Sequence, residues 1–316
     1  MANVSISTAS KAFSMSPEVN EQTRKMIFNI AKKHGVFKKF YNAKYPRLVI
    51  GVICPEFEGQ CYANAISTLQ KELSARECEI SVASSNFSAD SSNKLFEYYC
   101  NYTNVDGIII MDARSDQYSN EIPCVYMSEN IPDAAKNEPN ATFAHISCNS
   151  SDAILEGIKT FVDAGIYDIG YIGEPHSIRR FNFFKNAMHS LGIPFKNEYV
   201  VNDSARFEEG GYQGMMRLFE RNTVPRAIFC CYDHIAIGAM RAIRERGLSV
   251  PDDIKLFAFD DISEAKYLNP SLSSVNTKMR ERCALAASTV VNMITGEPYE
   301  SEIRLRSEFI ARESTM

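Results

Sequence analysis

The chain has 316 residues, 45% of them hydrophobic and 23% charged, with a formal net charge of −5. That is enough apolar material for about two domain cores, and it excludes a disordered or collagen-like chain. There is no run of ~20 apolar residues of the kind a membrane-spanning helix needs, and Met1–Phe13 lacks the apolar core and small-residue cleavage site of a secretory signal, so a cytoplasmic protein is expected.

The charge is uneven along the chain. Residues 1–47 carry nine basic side chains (Lys11, Arg24, Lys25, Lys32, Lys33, Lys38, Lys39, Lys44 and Arg47) against Glu18 and Glu21, a surplus of +7. The remainder holds 25 basic and 37 acidic residues, or −12. A basic head on an acidic body is the distribution of a head that meets a polyanion; a basic surface helix with no partner is the plainer alternative.

From residue 48 onward, apolar strand-like runs alternate with helical patterns. Leu48–Cys54 (LVIGVIC) predicts a buried strand, and Tyr62, Ala65, Ile66, Leu69 and Leu73 mark a helix after it. Glu79–Ser85 and Val105–Asp112 predict strands on either side of a helix over Asn93–Tyr102, followed by strands at Ile122–Ser128 and Ala144–Ser147. The pattern then restarts: helix Asp152–Ala164, strand Asp168–Gly173, helices Arg179–Leu191 and Gly211–Glu220, strand Ala227–Tyr232, helix Ile235–Arg246 and strand Ile254–Asp261.

Short buried strands separated by helices make parallel βαβ units. So many units exceed one open sheet. An α/β protein of two doubly wound parallel-sheet lobes is expected, with a single (β/α)₈ barrel as the runner-up. A late helix, Met279–Ile294, stopped by Gly296 and Pro298, and a last strand, Glu302–Arg312, imply that the chain returns to both lobes. The expected layout is a head over 1–45 and a body over 46–316. Within the body, one lobe spans about 46–147 and 279–298, the other about 148–278 and 299–316. Several crossovers make a hinge, and a ligand cleft is expected between hinged lobes.

The nine cysteines (Cys54, Cys61, Cys78, Cys100, Cys124, Cys148, Cys230, Cys231 and Cys283) are odd in number and show no C-x-x-C spacing, which fits buried, reduced thiols. His34, His145, His176, His189 and His234 form neither H-E-x-x-H nor a Cys/His cluster, so neither a metal nor another cofactor is expected. The sequence also lacks a nucleophile elbow, a P-loop and G-x-G-x-x-G, which disfavours a sugar-processing enzyme.

Val4-Ser5-Ile6-Ser7-Thr8-Ala9-Ser10-Lys11-Ala12-Phe13 resembles the recognition helix of the LacI/GalR family of bacterial regulators, whose pattern reads G-V-S-x-x-T-V-S-R-V-L-N. The likeness continues through Val19–Arg24 and the helix to His34, the third helix of the family head. In the body, Arg47–Ile53 resembles the first core strand of the family. Cys230–Ile243 resembles its N-D-x-x-A-x-G-A segment, and Val250–Asp261 its V-P-x-D-I-x-V-x-G-[FY]-D-D run. Asn269–Val275 resembles P-x-L-T-T-[IV], and Phe309–Thr315 resembles L-[IV]-x-R-x-S-T. Each motif alone is weak; their shared order across nearly the whole chain is strong.

The resemblance implies a type I periplasmic-binding-protein-like body with a partial helix-turn-helix head. A family head opens with a T-[IL]-x-D-[IV]-A helix; here only Met1-Ala2-Asn3 precede Val4, so the first helix is expected to be lacking and the apolar side of Ala9, Ala12 and Phe13 to lose its cover. The family hinge helix wedges a Leu into the minor groove. Lys38–Tyr45 stands there instead, with Phe40 or Tyr41 as candidate wedges.

By the same resemblance, Ile6, Ser7 and Lys11 sit where the family reads base edges, and Ser5, Thr8 and Ser10 where it holds phosphates. Hydroxyls at a helix N-terminus suit phosphate, although Ser5 is equally an ordinary N-cap. For an effector, the likeness carries over Arg180, four residues before Phe184 in an R-x-x-G-[FW] match with Phe183 in the Gly place; Arg179 beside it leaves the register open. It also carries over Asp260. An arginine fork and a carboxylate facing each other across a cleft can bind vicinal sugar hydroxyls; a surface charge and a turn aspartate are the plainer readings. Tyr232 replaces the ligand-binding Asn of the family, and Phe57 and Tyr62 either line the cleft or pack in the core. Asp233 reads as the N-cap of the helix at Ile235.

The implied function is a DNA-binding transcriptional repressor, acting as a homodimer on a two-fold DNA operator and controlled by a small sugar-like effector in the interlobe cleft. The alternative from the same residues is a cytoplasmic sugar-binding module that has lost DNA binding.

Overall fold

Continuous apolar runs become strands buried on both faces, and the helices between them set a parallel order. The computed structural model describes residues 4–34, 47–111, 119, 121–128, 142–203, 205–221 and 224–316. The expected wedge residues Phe40 and Tyr41, with the rest of Lys38–Tyr45, lie outside the described residues.

In the head, α1 (Ile6–Phe13) and α2 (Glu21–Lys33) follow one another closely. Ser5 caps α1, its Oγ accepting from the Thr8 backbone N–H at 3.0 Å. Asn20 does the same for α2, its Oδ1 accepting from Thr23 N at 2.8 Å. The apolar side of α1 keeps a cover after all. Ala12 and Phe13 are buried with Val19, Ile27 and Ala31, and the Phe13 and Phe28 rings lie 5.2 Å apart. The cover comes from α2, which the turn at Ser14–Asn20 folds back over α1. The Arg24 guanidinium ties that turn down by donating to Ser16 O (2.7 Å) and Val19 O (2.9 Å).

The chain divides into two units. The first comprises Met1–Glu58, Tyr62–Ser147 and Arg280–Ile303; the second comprises Gly59–Cys61, Cys148–Met279 and Arg304–Met316. The first unit is built on β1 (Leu48–Cys54), α3 (Gln60–Ser74), β2 (Cys78–Ser84), α4 (Ala89–Tyr102), β3 (Gly107–Ile110), β4 (Cys124–Tyr126) and β5 (Phe143–Asn149). Its sheet runs β11-β5-β4-β3-β1-β2, with Glu302–Arg306 as β11. β1 sits inside it, parallel to both neighbours, with Ile50 opposite Ile80 on one side and Gly107 on the other. That position explains its unbroken apolar sequence.

The second unit repeats the plan with α5 (Ser151–Asp163), β6 (Ile169–Ile172), α6 (Ile178–Ser190), β7 (Val200–Val201), α7 (Phe207–Glu220), β8 (Ala227–Cys230), α8 (Asp233–Glu245), β9 (Lys255–Phe259) and β10 (Ser273–Asn276). The order is β12-β10-β9-β8-β6-β7, with β12 (Glu308–Ile310) antiparallel to β10. An aromatic stack fills its core: Phe229 and Phe257 lie 4.6 Å apart and nearly parallel, with Phe161, Tyr171 and Phe184 buried around them. Two separate open sheets rule out the single barrel.

The tail departs from the sequence reading. After α9 (Met279–Thr295), stopped by Gly296 at φ +77°, one strand was expected in the second lobe. The structure breaks it at Ser307. β11 (Glu302–Arg306) joins the first sheet and β12 (Glu308–Ile310) the second, so residues up to 303 belong with the first unit. The alternating pattern is continuous through Ser307, and periodicity cannot say which sheet edge a strand joins. The break is held by Ser307 N donating to Asn149 O at 3.0 Å.

Among the described residues the nine cysteines form no disulfide, and all but Cys61 and Cys100 are buried. Among the described residues, no helix is long and apolar enough to cross a membrane.

The α7–α8 contact depends on glycine. A Cβ on Gly238 would fall 1.8 Å from the Glu208 carbonyl oxygen, and one on Gly211 would fall 1.9 Å from that of Ile235. Both obstacles are backbone, so a side chain there forces the helices apart. Gly238→Ala is expected to destabilise the chain by about 1–3 kcal/mol or more, the usual range for overpacking, seen as a lower urea midpoint. An unchanged midpoint would show that the two helices can separate freely.

Candidate functional site

The carboxyl ends of β6, β8 and β9 lie side by side at one edge of the second sheet, the position where open α/β sheets hold ligands. β6 leads into Glu174, whose buried carboxylate accepts from His176 N (2.8 Å) and Ser177 Oγ (3.0 Å). This caps the short turn Pro175–Ser177 and fixes the start of α6. Arg180, in the first turn of α6, then reaches across the end of β8. Its Nη1 donates to Cys231 O at 2.9 Å and its Nη2 to Asp260 Oδ1 at 3.2 Å. The guanidinium also lies 4.2 Å from the centre of the Phe259 ring and 5.9 Å from that of Tyr232.

Arg180 and Asp260 were expected to face each other across a cleft. The structure places both in the second unit and pairs them directly. The reason is strand order: β8 lies between β6 and β9, and an arginine is long enough to span one strand end. The neighbouring Arg179 stacks instead on Phe183, 5.4 Å from its ring centre, one helical turn on.

Asp260 is presented by a strained turn. Asp260 has φ +97° and Asp261 φ +52°, a left-handed region that L side chains seldom occupy. Hydrogen bonds hold every residue of the turn. Asp260 N donates to Val275 O (3.0 Å) and Asp261 N to Ser274 Oγ (3.0 Å). The Asp261 carboxylate accepts from Asn276 Nδ2 (2.8 Å) and Arg312 Nη2 (2.7 Å). Ile262 N donates to Asp233 Oδ2 (2.7 Å), and Ser274 Oγ donates to Asp233 Oδ1 (2.6 Å).

Asp233 therefore does not serve as the expected N-cap. The helix begins at Asp233 itself, Tyr232 takes the cap position, and the Asp233 carboxyl turns inward to the strained turn. It is fully buried, and burial pushes it well above the usual carboxylate range, with Asp260 and Asp261 adding in the same direction.

Tyr232 is buried, and its hydroxyl accepts from Phe207 N at 3.0 Å. Burial raises its phenol above the ordinary value. Phe207 has φ +60° and meets the Tyr232 ring edge-on at 6.2 Å. Tyr232 thus spends its polar atom on a loop backbone rather than offering an amide as Asn would. Phe57 and Tyr62 belong to the first unit: Phe57 is exposed beyond β1, and Tyr62, in α3, meets the Phe87 ring edge-on at 6.4 Å.

Phe259, Phe207, Ser274 and Arg312 escaped the sequence reading. Phe259 stands immediately before Asp260, and Ser274 and Arg312 lie in segments with family patterns, but none of these signals showed that they meet at one turn.

In the head, Ser5, Ile6, Ser7, Ser10 and Lys11 are exposed on α1 and Thr8 is half-buried. Ile6 is 91% exposed, an apolar side chain with no intramolecular cover. Lys11 is paired with Glu18 across the turn.

A family model described as a periplasmic binding protein-like domain matches residues 158–315. A Bacillus subtilis (strain 168) protein named as a probable HTH-type transcriptional repressor, ExuR, is 30% identical over 99% of this chain and 96% of its own length. This chain belongs to the LacI/GalR family of transcriptional regulators. Its head-and-body order is that of the family as a whole. The lac repressor dimer bound to operator and the anti-inducer ONPF superposes with a TM-score of 0.72 at 18% identity, covering 100% of this chain and 96% of the other. The CelR–cellobiose complex superposes with a TM-score of 0.68 at 20% identity, covering 99% and 97%. At these identities the two structures establish the fold.

Asp233 gives this LacI/GalR-family chain a pH signature. Its carboxyl holds its proton more tightly in the folded chain than an ordinary aspartate does, so the folded state keeps a proton that the unfolded state releases. The associated stability is present below about pH 4 and is lost as pH rises toward the folded value. Wild type is expected to lose stability relative to Asp233→Asn between pH 4.5 and pH 8 in urea titrations. Parallel pH dependence in the two proteins would mean that the buried carboxyl is already ionised.

Proposed function

We propose that this LacI/GalR-family regulator is a cytoplasmic homodimeric repressor whose body binds a small sugar-like effector at Arg180 and Asp260. The observation that carries the reading is the Arg180–Asp260 pair at the carboxyl edge of the second sheet, backed by Phe259 and Tyr232. A guanidinium supplies donors, a carboxylate supplies acceptors, and adjacent sugar hydroxyls satisfy both at once. The aromatic rings add apolar surface for the carbon faces of a sugar. The CelR structure holding cellobiose and the lac repressor dimer on its operator support a sugar, a dimer and DNA as the partners.

For DNA, α1 presents the surface. Ser5, Thr8 and Ser10 are proposed to hold phosphates, and Ile6, Ser7 and Lys11 to meet base edges. Effector binding shifts the body between states that space the two heads differently, which alters the grip on a two-fold site.

The effector site is tested with Asp260→Asn, because asparagine tolerates the left-handed backbone better than most residues. Sugars that raise the melting temperature of wild type are expected to lose about 10–100-fold in affinity, in line with one charge-assisted contact. A variant that responds like wild type would remove Asp260 from the site.

The DNA surface is tested by anisotropy with duplexes selected from a random library by the full chain. Lys11→Ala is expected to weaken binding to the selected sequence by about 1–3 kcal/mol and to relax specificity at the base pair it meets. Failure to select any common sequence would argue for an effector-binding module without DNA recognition.

A further inference from the structure

Helix α1 carries one apolar side chain on a face that is otherwise polar. Its exposed residues are Ile6, Ser7, Ser10 and Lys11, which the helical repeat sets on one side as i, i+1, i+4 and i+5. The opposite side, with Ala12 and Phe13, is buried against Val19, Ile27 and Ala31. Ile6 is 91% exposed, so packing within the head does not account for an isoleucine there. Helix formation does not call for one either, because a β-branched side chain loses χ1 freedom in a helix.

The side chain is held ready for a partner. Ser5 caps the helix: its Oγ accepts from Thr8 N at 3.0 Å and lies 2.9 Å from the Thr8 hydroxyl, and its carbonyl accepts from Ala9 N at 3.0 Å. These bonds close the first turn around Ile6. A β-branched side chain on such a turn has essentially one χ1 rotamer, so little is left to order on binding. The charge around it points to nucleic acid: residues 1–47 carry nine basic side chains against two acidic ones, which complements a polyanion.

We infer that Ile6 reads the C5 methyl group of a thymine, so that the DNA site of this regulator carries an A·T pair, its thymine toward α1, at the position Ile6 meets. Isoleucine has neither donor nor acceptor and gains nothing from the polar groups of a base edge. In the major groove the thymine methyl is the one apolar group that a base pair displays; adenine, guanine and cytosine show donors and acceptors. Covering cytosine N4 or guanine O6 with Ile6 would strip that group of water and return no hydrogen bond. Ser7 and Lys11 keep the hydrogen-bonding part of the readout. The inference rests on the proposed reading that α1 is the DNA surface, and it adds the base chemistry at one position.

The test uses the full chain and the duplexes it selects from a random library, read by anisotropy. Each thymine is replaced in turn by deoxyuridine, which removes the methyl and leaves every hydrogen-bonding group in place. One replacement is expected to weaken wild-type binding about three- to tenfold, the range for one buried methyl contact. At that position 5-methylcytosine is expected to bind tighter than cytosine by a similar factor, and equal binding of the two would overturn the inference. Ile6→Ala is expected to melt like wild type, to bind the thymine duplex more weakly, and to bind thymine and deoxyuridine duplexes equally; Ile6→Val is expected to keep the preference. The alanine variant separates contact from DNA shape, because a shape effect of the missing methyl would survive it. A wild type that no deoxyuridine replacement weakens, or an Ile6→Ala that still prefers thymine, would also overturn the inference. Binding that Lys11→Ala weakens while every deoxyuridine duplex binds as tightly as its parent would leave α1 as the DNA surface and remove the methyl contact. Selection of no common sequence would count against both.

Discussion

The left-handed turn at Asp260–Asp261 is the constraint on which the chemistry of the second unit depends. A parallel strand that ended in ordinary extended backbone would carry Asp260 away from Arg180. Two successive positive φ values turn the chain sharply enough to bring the Asp260 carboxylate within 3.2 Å of the guanidinium. Such a turn is costly on its own. It persists because groups on three other elements hold it: the buried Asp233 from α8 and Ser274 from β10, and the half-buried Asn276 from β10 and Arg312 from beyond β12. Arg312 also donates to Leu272 O at 2.6 Å, which couples the last residues of the chain to the same turn. The site is therefore a property of the whole sheet edge.

The two units solve one packing problem twice and charge their edges differently. At the edge of the second sheet, Arg180 is matched by Asp260, so the pair is nearly neutral and suited to hydroxyl groups. In the first unit, the sheet edge carries the Arg282 guanidinium, which donates to the Met127 carbonyl. Aromatic stacking fixes the core behind the first site, and the small residues of α9 let the Arg282 helix lie close over its own sheet. A Cβ on Gly107 would meet Val290 at 2.6 Å, a measure of how tightly that helix is seated.

Much of the architecture was legible from periodicity. Unbroken apolar runs gave β1, β6, β8 and β9 because strands covered on both faces have no polar side to alternate. The helix stop at Gly296 was legible because a left-handed C′ residue favours glycine. Arg180 and Asp260 were found through a family pattern, while their direct pairing within one unit was not. The role of Asp233 was misread: the polar residue beside a helix start is usually a cap, and nothing local showed that its carboxyl turns toward Ile262 and Ser274.

The sequence by itself determined the two-lobed α/β plan, the basic head and the family, because these follow from local periodicity, charge and motif order along the chain. The tertiary structure alone decided which sheet each half of the tail strand joins, how α2 covers α1, and which charges are compensated. Those depend on contacts between residues far apart in the chain, such as Ser307 with Asn149 and Arg312 with Asp261. A pattern with period two or 3.6 fixes which way a side chain points, and leaves open what it meets there.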